Sequence, residues 1–292
     1  MKILLTGASG FLGKSMLSSW SSQHEVITLG RDESNLIQID LSREKPSLPT
    51  LDMVVHAAGK AHIVPKTDQE KQEFYEVNLQ GTRHLLEAIT ELPRLFVFIS
   101  TVAVYGLEEG NLISEEAPLN GTSPYAESKI QAEQYLIRWG QKMGVPVVIL
   151  RLPLIVGPNP PGNLGAMIHA VRKGFYFRLG SGEARKSMVL AKDVADFIPS
   201  LLGHEGIFNL CDGAHPSLAE LDQKIADHYG KKVRSISEKP LSYLAKIGDF
   251  LPFFPLNSYR LGKLANTLTF DDQKARKELG WNPRYTLDNL FE

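Results

Sequence analysis

Short apolar runs alternate along the chain with longer stretches in which apolar residues recur at helical spacing. Ile3-Leu4-Leu5 heads the series, within a strand expected over Lys2 to Leu5, and further strands are expected over Glu25 to Leu29, Leu36 to Ile39, Asp52 to His56, Leu95 to Ile99 and Val145 to Arg151. Runs this short and this continuously apolar suit strands buried on both faces, the condition of a parallel sheet. Helical stretches fill the gaps from Phe11 to Trp20, from about Gln69 to Glu91 and from Pro124 to Met143. Such alternation predicts an α/β fold with a doubly wound parallel sheet. From about Leu154 the alternation breaks up and Pro and Gly become frequent, as in Gly157-Pro158-Asn159-Pro160-Pro161-Gly162. A first domain is therefore expected over residues 1–153 and a smaller C-terminal α/β lobe over 154–292, with segments near 189–210 (Val189 to Leu202 and Gly206 to Leu210) returning to the first.

The turn after the first strand reads Thr6-Gly7-Ala8-Ser9-Gly10-Phe11-Leu12-Gly13, a G-x-x-G-x-x-G spacing between a buried strand and a helix. A helix N-terminus in that position offers unpaired N–H groups and a positive dipole end to a pyrophosphate. A side chain at Gly7 or Gly10 would block the approach, and Gly13 would let helix and sheet pack closely. A purely structural turn is the alternative reading. Far downstream, Tyr125-Ala126-Glu127-Ser128-Lys129 places a phenol and an ammonium at i and i+4, on one helix face. Free Tyr and Lys titrate near ~10 and ~10.4, so a lysine beside the phenol is expected to lower the tyrosine toward the working range. A solvated helix face is the plain alternative. Between these motifs the strand Leu95 to Ile99 runs into Ser100-Thr101 and Val104-Tyr105-Gly106. Hydroxyls at the carboxyl end of a strand face the ligand crevice of an open α/β sheet, or simply end the strand by bonding the turn.

Together with His56-Ala57-Ala58-Gly59, Asn78 and Arg151-Leu152-Pro153, these motifs resemble the extended short-chain dehydrogenase/reductases, and within them the NAD(P)-dependent nucleotide-sugar epimerase/dehydratase/reductase group. The resemblance runs to the C-terminus, through Phe270-Asp271-Asp272-Gln273-Lys274-Ala275 and Leu279-Gly280-Trp281-Asn282-Pro283. It implies a Rossmann sheet, with the C-terminal lobe binding substrate. It also implies that Thr101, Tyr125 and Lys129 are the catalytic set, and that Gly7, Ser9, Gly10, Phe11, Leu12, Gly13, Ala57, Ala58, Gly59, Asn78, Ser100 and Pro153 line the cofactor. Tyr125 and Lys129 would also touch the cofactor, and Asp40-Leu41 matches the pair that contacts the adenine.

Departures from the pattern narrow the activity. The second strand ends in Gly30-Arg31 where relatives that prefer NAD carry an acid. An Arg there can hold a 2′-phosphate, which favours NADP over NAD, although Arg31 could equally be a solvated residue stacking on adenine. Leu154 stands where many sugar epimerases have an Asn that grips the diphosphate, so Asn163 is a candidate for that contact. The group's phosphate-binding Arg aligns with Lys186, beside Arg185; a surface charge pair is the alternative. With Thr101 and Tyr105, these residues make the expected substrate site. The Gly162-Asn163-Leu164 loop, the Arg185-Lys186-Ser187 turn and the ending from Leu264 to Lys274 look most like reductases of 4-keto-6-deoxy nucleotide sugars. A nucleotide-sugar 4-epimerase is the alternative, and an NADP-binding sensor or a non-sugar reductase the second. A 4,6-dehydratase would want an acid next to Thr101, where the chain has Val102 and Ala103.

Composition changes this picture little. Lys and Arg total 32 against 33 acids over 292 residues, which leaves no basic footprint for nucleic acid. The first strand starts at Lys2 and no apolar run approaches the ~20 residues of a membrane helix, so a cytoplasmic enzyme with no membrane span is expected. Cys211 is the only cysteine and the eight histidines show no metal-like spacing, so no metal is expected. Leu241 to Leu264 is apolar enough to need cover, by core or lid packing or by a weak membrane or partner contact. Members of the group commonly dimerise through the two long helices, and a homodimer is the corresponding expectation.

Overall fold

The computed structural model describes residues 1–61, 63–236 and 266–292; the apolar segment 241–264 lies outside the described residues. Seven strands form the main sheet: β1 (Lys2–Thr6), β2 (Glu25–Gly30), β3 (Ile37–Gln38), β4 (Met53–His56), β5 (Leu95–Thr101), β7 (Val147–Leu152) and β11 (Gly206–Asn209). All are parallel, in the order β3-β2-β1-β4-β5-β7-β11. The remaining strands are β6 (Gly110–Ile113), β8 (Leu154–Val156), β9 (Phe177–Leu179), β10 (Met188–Leu190), β12 (Arg234–Ile236) and β13 (Leu268–Phe270). They form three small parallel pairs, β8 with β10, β9 with β12 and β6 with β13.

Alternate side chains of each central strand feed opposite cores, because successive residues of a strand point to opposite faces. Ile3, Leu5, Met53, Val55, Val97 and Leu150 pack under α1 (Phe11–Trp20) and α6 (Ala191–Phe197), while Leu4, Leu29, Val54, Phe96, Phe98 and Ile149 pack under α3 (Gly81–Glu87) and α4 (Pro124–Met143). Trp20 fixes α1 to α6 by donating its indole N–H to the Ala195 carbonyl at 2.8 Å. Leu41, expected at the adenine, buries its side chain in the second of these cores. Further helices are α5 (Gly162–Lys173), α7 (Leu218–His228) and α8 (Gln273–Leu279). Among the described residues no helix is long and apolar enough to cross a membrane.

One expected element differs. The long helix over Gln69 to Glu91 is divided into α2 (Asp68–Tyr75), a π-helical turn over Glu76–Gln80, and α3. The Thr82 hydroxyl donates to the Asn78 carbonyl at 2.6 Å and so competes for the acceptor that an α-helical Thr82 N–H would use.

Strand order reverses between β1 and β4, so the crevice of the doubly wound sheet opens over their carboxyl ends. Gly7 lies there at φ +74, and a Cβ on it would stand 2.7 Å from the Ala58 nitrogen. The reason for Gly13 differs from the expectation: its Cβ would fall 2.0 Å from the Gly7 carbonyl oxygen, so the turn itself, and not helix–sheet packing, demands it. Gly7→Ala combines a left-handed backbone with that collision. It should cost at least about 2 kcal/mol, visible as a lower denaturation midpoint, and should weaken dinucleotide binding in equilibrium titration.

Candidate active site

The site grows from the ends of β1, β4 and β5 and the first turns of α4. Ser123 starts α4 by accepting the Ala126 N–H at 3.2 Å, with Pro124 preset for the first helical position. Tyr125 follows, its ring 6.2 Å from that of Phe74 and its phenol beside the Thr101 hydroxyl. Thr101 Oγ1 accepts the Ala103 N–H at 3.2 Å, which caps the short 3₁₀ turn Val102–Tyr105. One helical turn beyond Tyr125, the buried Lys129 ammonium donates to the Ile99 carbonyl at 2.7 Å and sits 4.3 Å above the Phe98 ring.

The electrostatics correct one expectation. Burial pushes the Tyr125 phenol up and the Thr101 hydroxyl only partly opposes it, so the proton stays on tyrosine. The expected lowering by Lys129 is not seen, because that ammonium is turned to the Ile99 carbonyl. Lys129 itself is lowered to about 8 by burial, with Glu133 acting in the opposite direction. A protonated phenol beside a threonine hydroxyl can hand a proton to an oxygen placed between them.

Behind this pair runs a relay of buried polar groups. Thr82 Oγ1 spends its proton on the Asn78 carbonyl, so at 3.0 Å from His56 Nε2 it must accept from the ring. His56 Nδ1 is then the acceptor for the Thr6 hydroxyl at 2.6 Å, and Thr6 Oγ1 in turn accepts the Ala58 N–H at 3.1 Å. Burial, with the Lys129 charge second, lowers His56 to about 3 and keeps the ring neutral. The Asn78 side chain pairs with the Lys60 backbone through Oδ1 at 2.7 Å and Nδ2 at 3.2 Å, and Nδ2 also donates to Ser128 Oγ at 2.9 Å. This chain of bonds joins β1, β4, the π turn and α4.

The other expected residues take the following places. Ser100, expected against the nicotinamide, is buried and donates its hydroxyl to the Glu133 carboxylate. Tyr105, expected to meet substrate, has no exposed surface: its hydroxyl donates to Asn209 Oδ1 at 2.7 Å and its ring stacks on Phe270 at 5.7 Å. Both face inward because burying a hydroxyl requires a bonding partner, and Glu133 and Asn209 supply one on the core side. Asn163 lies exposed in the first turn of α5 and not in a loop. Arg185 is exposed and donates to the His215 carbonyl at 3.0 Å, while the Lys186 ammonium donates to the Asn266 carbonyl at 2.7 Å. Leu12 packs into the core, Phe11 Cζ would lie 3.3 Å from a Cβ on Gly157, Ser9 is exposed, and Pro153 links β7 to β8. Glu133 belongs to no motif, and its one signal in the sequence is a charge on the helix face shared with Lys129, Ala132 and Leu136.

The residues fit a dinucleotide. The N-terminus of α1 has no side-chain cap, the Gly7 turn brings the backbones at the ends of β1 and β4 together without a side chain between them, and a cleft of about 280 Å3 at the end of β2 is lined by Arg31, Gln38, Ile39 and Asp40. Burial pushes the Asp40 carboxyl up, but the Ser42 hydrogen bonds and the charges of Arg31 and Arg43 outweigh it and hold the group below its usual range. Among the described residues no cluster of three His, Cys, Asp or Glu side chains could hold a metal.

Residues 3–211 match the NAD dependent epimerase/dehydratase family. The UDP-glucose 4-epimerase of Vibrio cholerae is 28% identical over 99% of this chain and 93% of its own length. The GDP-6-deoxy-D-mannose reductase of Pseudomonas aeruginosa is 28% identical over 77% of this chain and 79% of its own. Among solved structures, that of RMD from Pseudomonas aeruginosa complexed with NADPH superposes with a TM-score of 0.76 over 99% of this chain and 97% of that one, at 21% identity.

A histidine that is neutral when folded and protonated when unfolded makes stability fall on acidification. The unfolded chain takes up the extra proton below about 6.5 and the folded one only near 3, so His56 should contribute a loss of about 1.4 kcal/mol per pH unit between those limits. Urea denaturation of wild type and His56→Gln at pH 7, 6, 5 and 4 checks this: the variant should be less stable at pH 7 and lose stability less steeply toward pH 4.

Proposed function

The chain is an enzyme of the NAD-dependent epimerase/dehydratase family, and from that premise we propose that it is an NADPH-dependent reductase of a 4-keto-6-deoxy nucleotide sugar. The observation that carries the choice is Arg31 in the wall of the cleft at the end of β2, where a guanidinium can pair with a 2′-phosphate. Tyr125 agrees, since a phenol that keeps its proton is ready to act as an acid. In this reading Gly7, Gly10, Gly13, Ala57, Ala58 and Gly59 hold the dinucleotide, with Arg31 and Asp40 at its adenosine end. When bound, the nicotinamide supplies the hydride for the C4 ketone. Tyr125 delivers the proton to the developing alkoxide, Thr101 hydrogen-bonds the same oxygen, and Lys129, bonded to the Ile99 carbonyl, holds the helix that carries Tyr125 in place. Lys186, with Arg185 beside it, is the candidate for the substrate diphosphate.

A 4-epimerase is the second reading, favoured by the Vibrio cholerae relative that spans nearly the whole chain. A single-turnover mix with NADPH and a UDP-4-keto-6-deoxy-amino sugar separates the two. Loss of NADPH absorbance with a two-hydrogen gain in product mass supports the reductase. No consumption, with a dinucleotide tightly bound to the purified protein, supports the epimerase.

Tyr125→Phe should lower kcat by about 10²–10⁴-fold with dinucleotide affinity kept; turnover near wild type would remove the acid role. Arg31→Asp should weaken NADPH binding at least about tenfold and leave NADH nearly unchanged, as read by fluorescence titration. Lys186→Ala should raise KM for the nucleotide sugar, whereas an unchanged KM would favour a non-sugar substrate.

A further inference from the structure

Glu133 and Arg151 form an ion pair inside the protein, at 1% and 2% exposure, and nothing in the proton transfer above uses it. A buried pair is often no more stabilising than the apolar residues that could replace it, so stability alone is a weak reason for it. Its placement offers another. Lys129 and Glu133 lie one turn apart on α4 and grip consecutive residues of β5: Lys129 takes the Ile99 carbonyl, and Glu133 Oε1 accepts the Ser100 hydroxyl. The next residue is Thr101. Ser100 is also the register partner of Arg151 on β7, whose guanidinium holds Glu133 at 2.7 Å through Nη2 and 3.3 Å through Nε.

The other edge of Arg151 leads away from the crevice. Nη1 donates to the Tyr105 hydroxyl at 3.1 Å and to the Glu115 carbonyl at 3.4 Å, and Tyr105 donates to Asn209 Oδ1. Asn209 gives its backbone N–H to Glu115 Oε1 at 2.7 Å and its amide to the carbonyls of Ile113 and Asp271 at 3.1 and 3.2 Å. Residues next to β6, β13 and β11 are thereby tied to the end of β5.

We propose that Glu133 is a positioning residue: through Ser100 it sets the end of β5, and with it Thr101 against Tyr125, and through Arg151 it ties that strand end to the segments around β6 and β13. The proposal rests on the reading of Thr101, Tyr125 and Lys129 as the reacting set. A second consequence concerns Lys129. The charged and titratable groups around it are Tyr125 and Glu133 on its own helix, neutral His56 on β4, and Arg151 on β7, paired with Glu133. Burial lowers the ammonium and Glu133 holds it up, so removal of the carboxylate lets it deprotonate at lower pH.

The test uses the full chain with 13Cε-labelled lysine and no dinucleotide, in two variants, alongside steady-state kinetics of the holoenzyme. Ser100→Ala removes the grip and keeps the charges: kcat should fall about tenfold while KM and the Lys129 titration midpoint stay put. Glu133→Gln combined with Arg151→Gln removes the charges together and leaves no lone buried ion: the Lys129 midpoint should drop below its wild-type position near 8, and the basic limb of kcat/KM should move with it. A purely structural pair would lower the denaturation midpoint of the double variant and leave the lysine titration where it was. Wild-type kcat in Ser100→Ala, or an unmoved lysine midpoint in the folded double variant, overturns the proposal. If the double variant does not fold, Ser100→Ala decides alone. A fully active Tyr125→Phe would instead remove the functional reading and leave the lysine result standing.

Discussion

A buried ammonium bonded to a strand-end carbonyl, Lys129 to Ile99 at 2.7 Å, is the contact on which the arrangement of the site depends. The last carbonyls of a strand point into a crevice where the sheet offers few further partners, and a carbonyl buried there without a bond would be costly. The cation is equally costly to bury alone. The two groups satisfy each other, with the Phe98 ring beneath the ammonium and the Glu133 carboxylate one turn away. Because Lys129 belongs to α4, the same contact fixes the helix that carries Tyr125.

The other side of the crevice is held by neutral groups. Thr6, His56, Thr82 and Asn78 form one directed run of hydrogen bonds in which each proton has a single place to go. Directionality follows from Thr82, whose only hydroxyl proton is committed to the Asn78 carbonyl. The π turn is therefore part of the site: it carries Asn78, whose side chain bonds both the Lys60 backbone and Ser128. Polar networks of this kind are rigid when every member is satisfied.

Burial acts on the two titrating groups of α4 in opposite senses. It raises Tyr125 and lowers Lys129, because in each case the low-polarity surroundings disfavour the charged form. The phenol is thus held as an acid, and the lysine keeps its charge through its surroundings and not through contact with the phenol. Such a resting state suits proton donation to an alkoxide better than proton abstraction from an alcohol.

Much of this was legible in the sequence. Alternating short apolar runs and helical stretches were enough for the doubly wound sheet, because strand and helix periodicities are local. The glycine turn marked the crevice because only Gly tolerates the backbone and the close approach at position 7. Tyr125 and Lys129 were found together because an i, i+4 pair shares a helix face. The tertiary structure decided what lay beyond that range. Ser100 and Tyr105 follow the right strand, yet both hydroxyls turn inward to Glu133 and Asn209, partners 33 and 104 residues away in sequence. The same holds for the direction in which Tyr125 is shifted and for the tautomer of His56. Periodicity and steric demand are properties of neighbouring residues, whereas the partners of a buried polar group, and the charge it can keep, are set by what the fold packs around it.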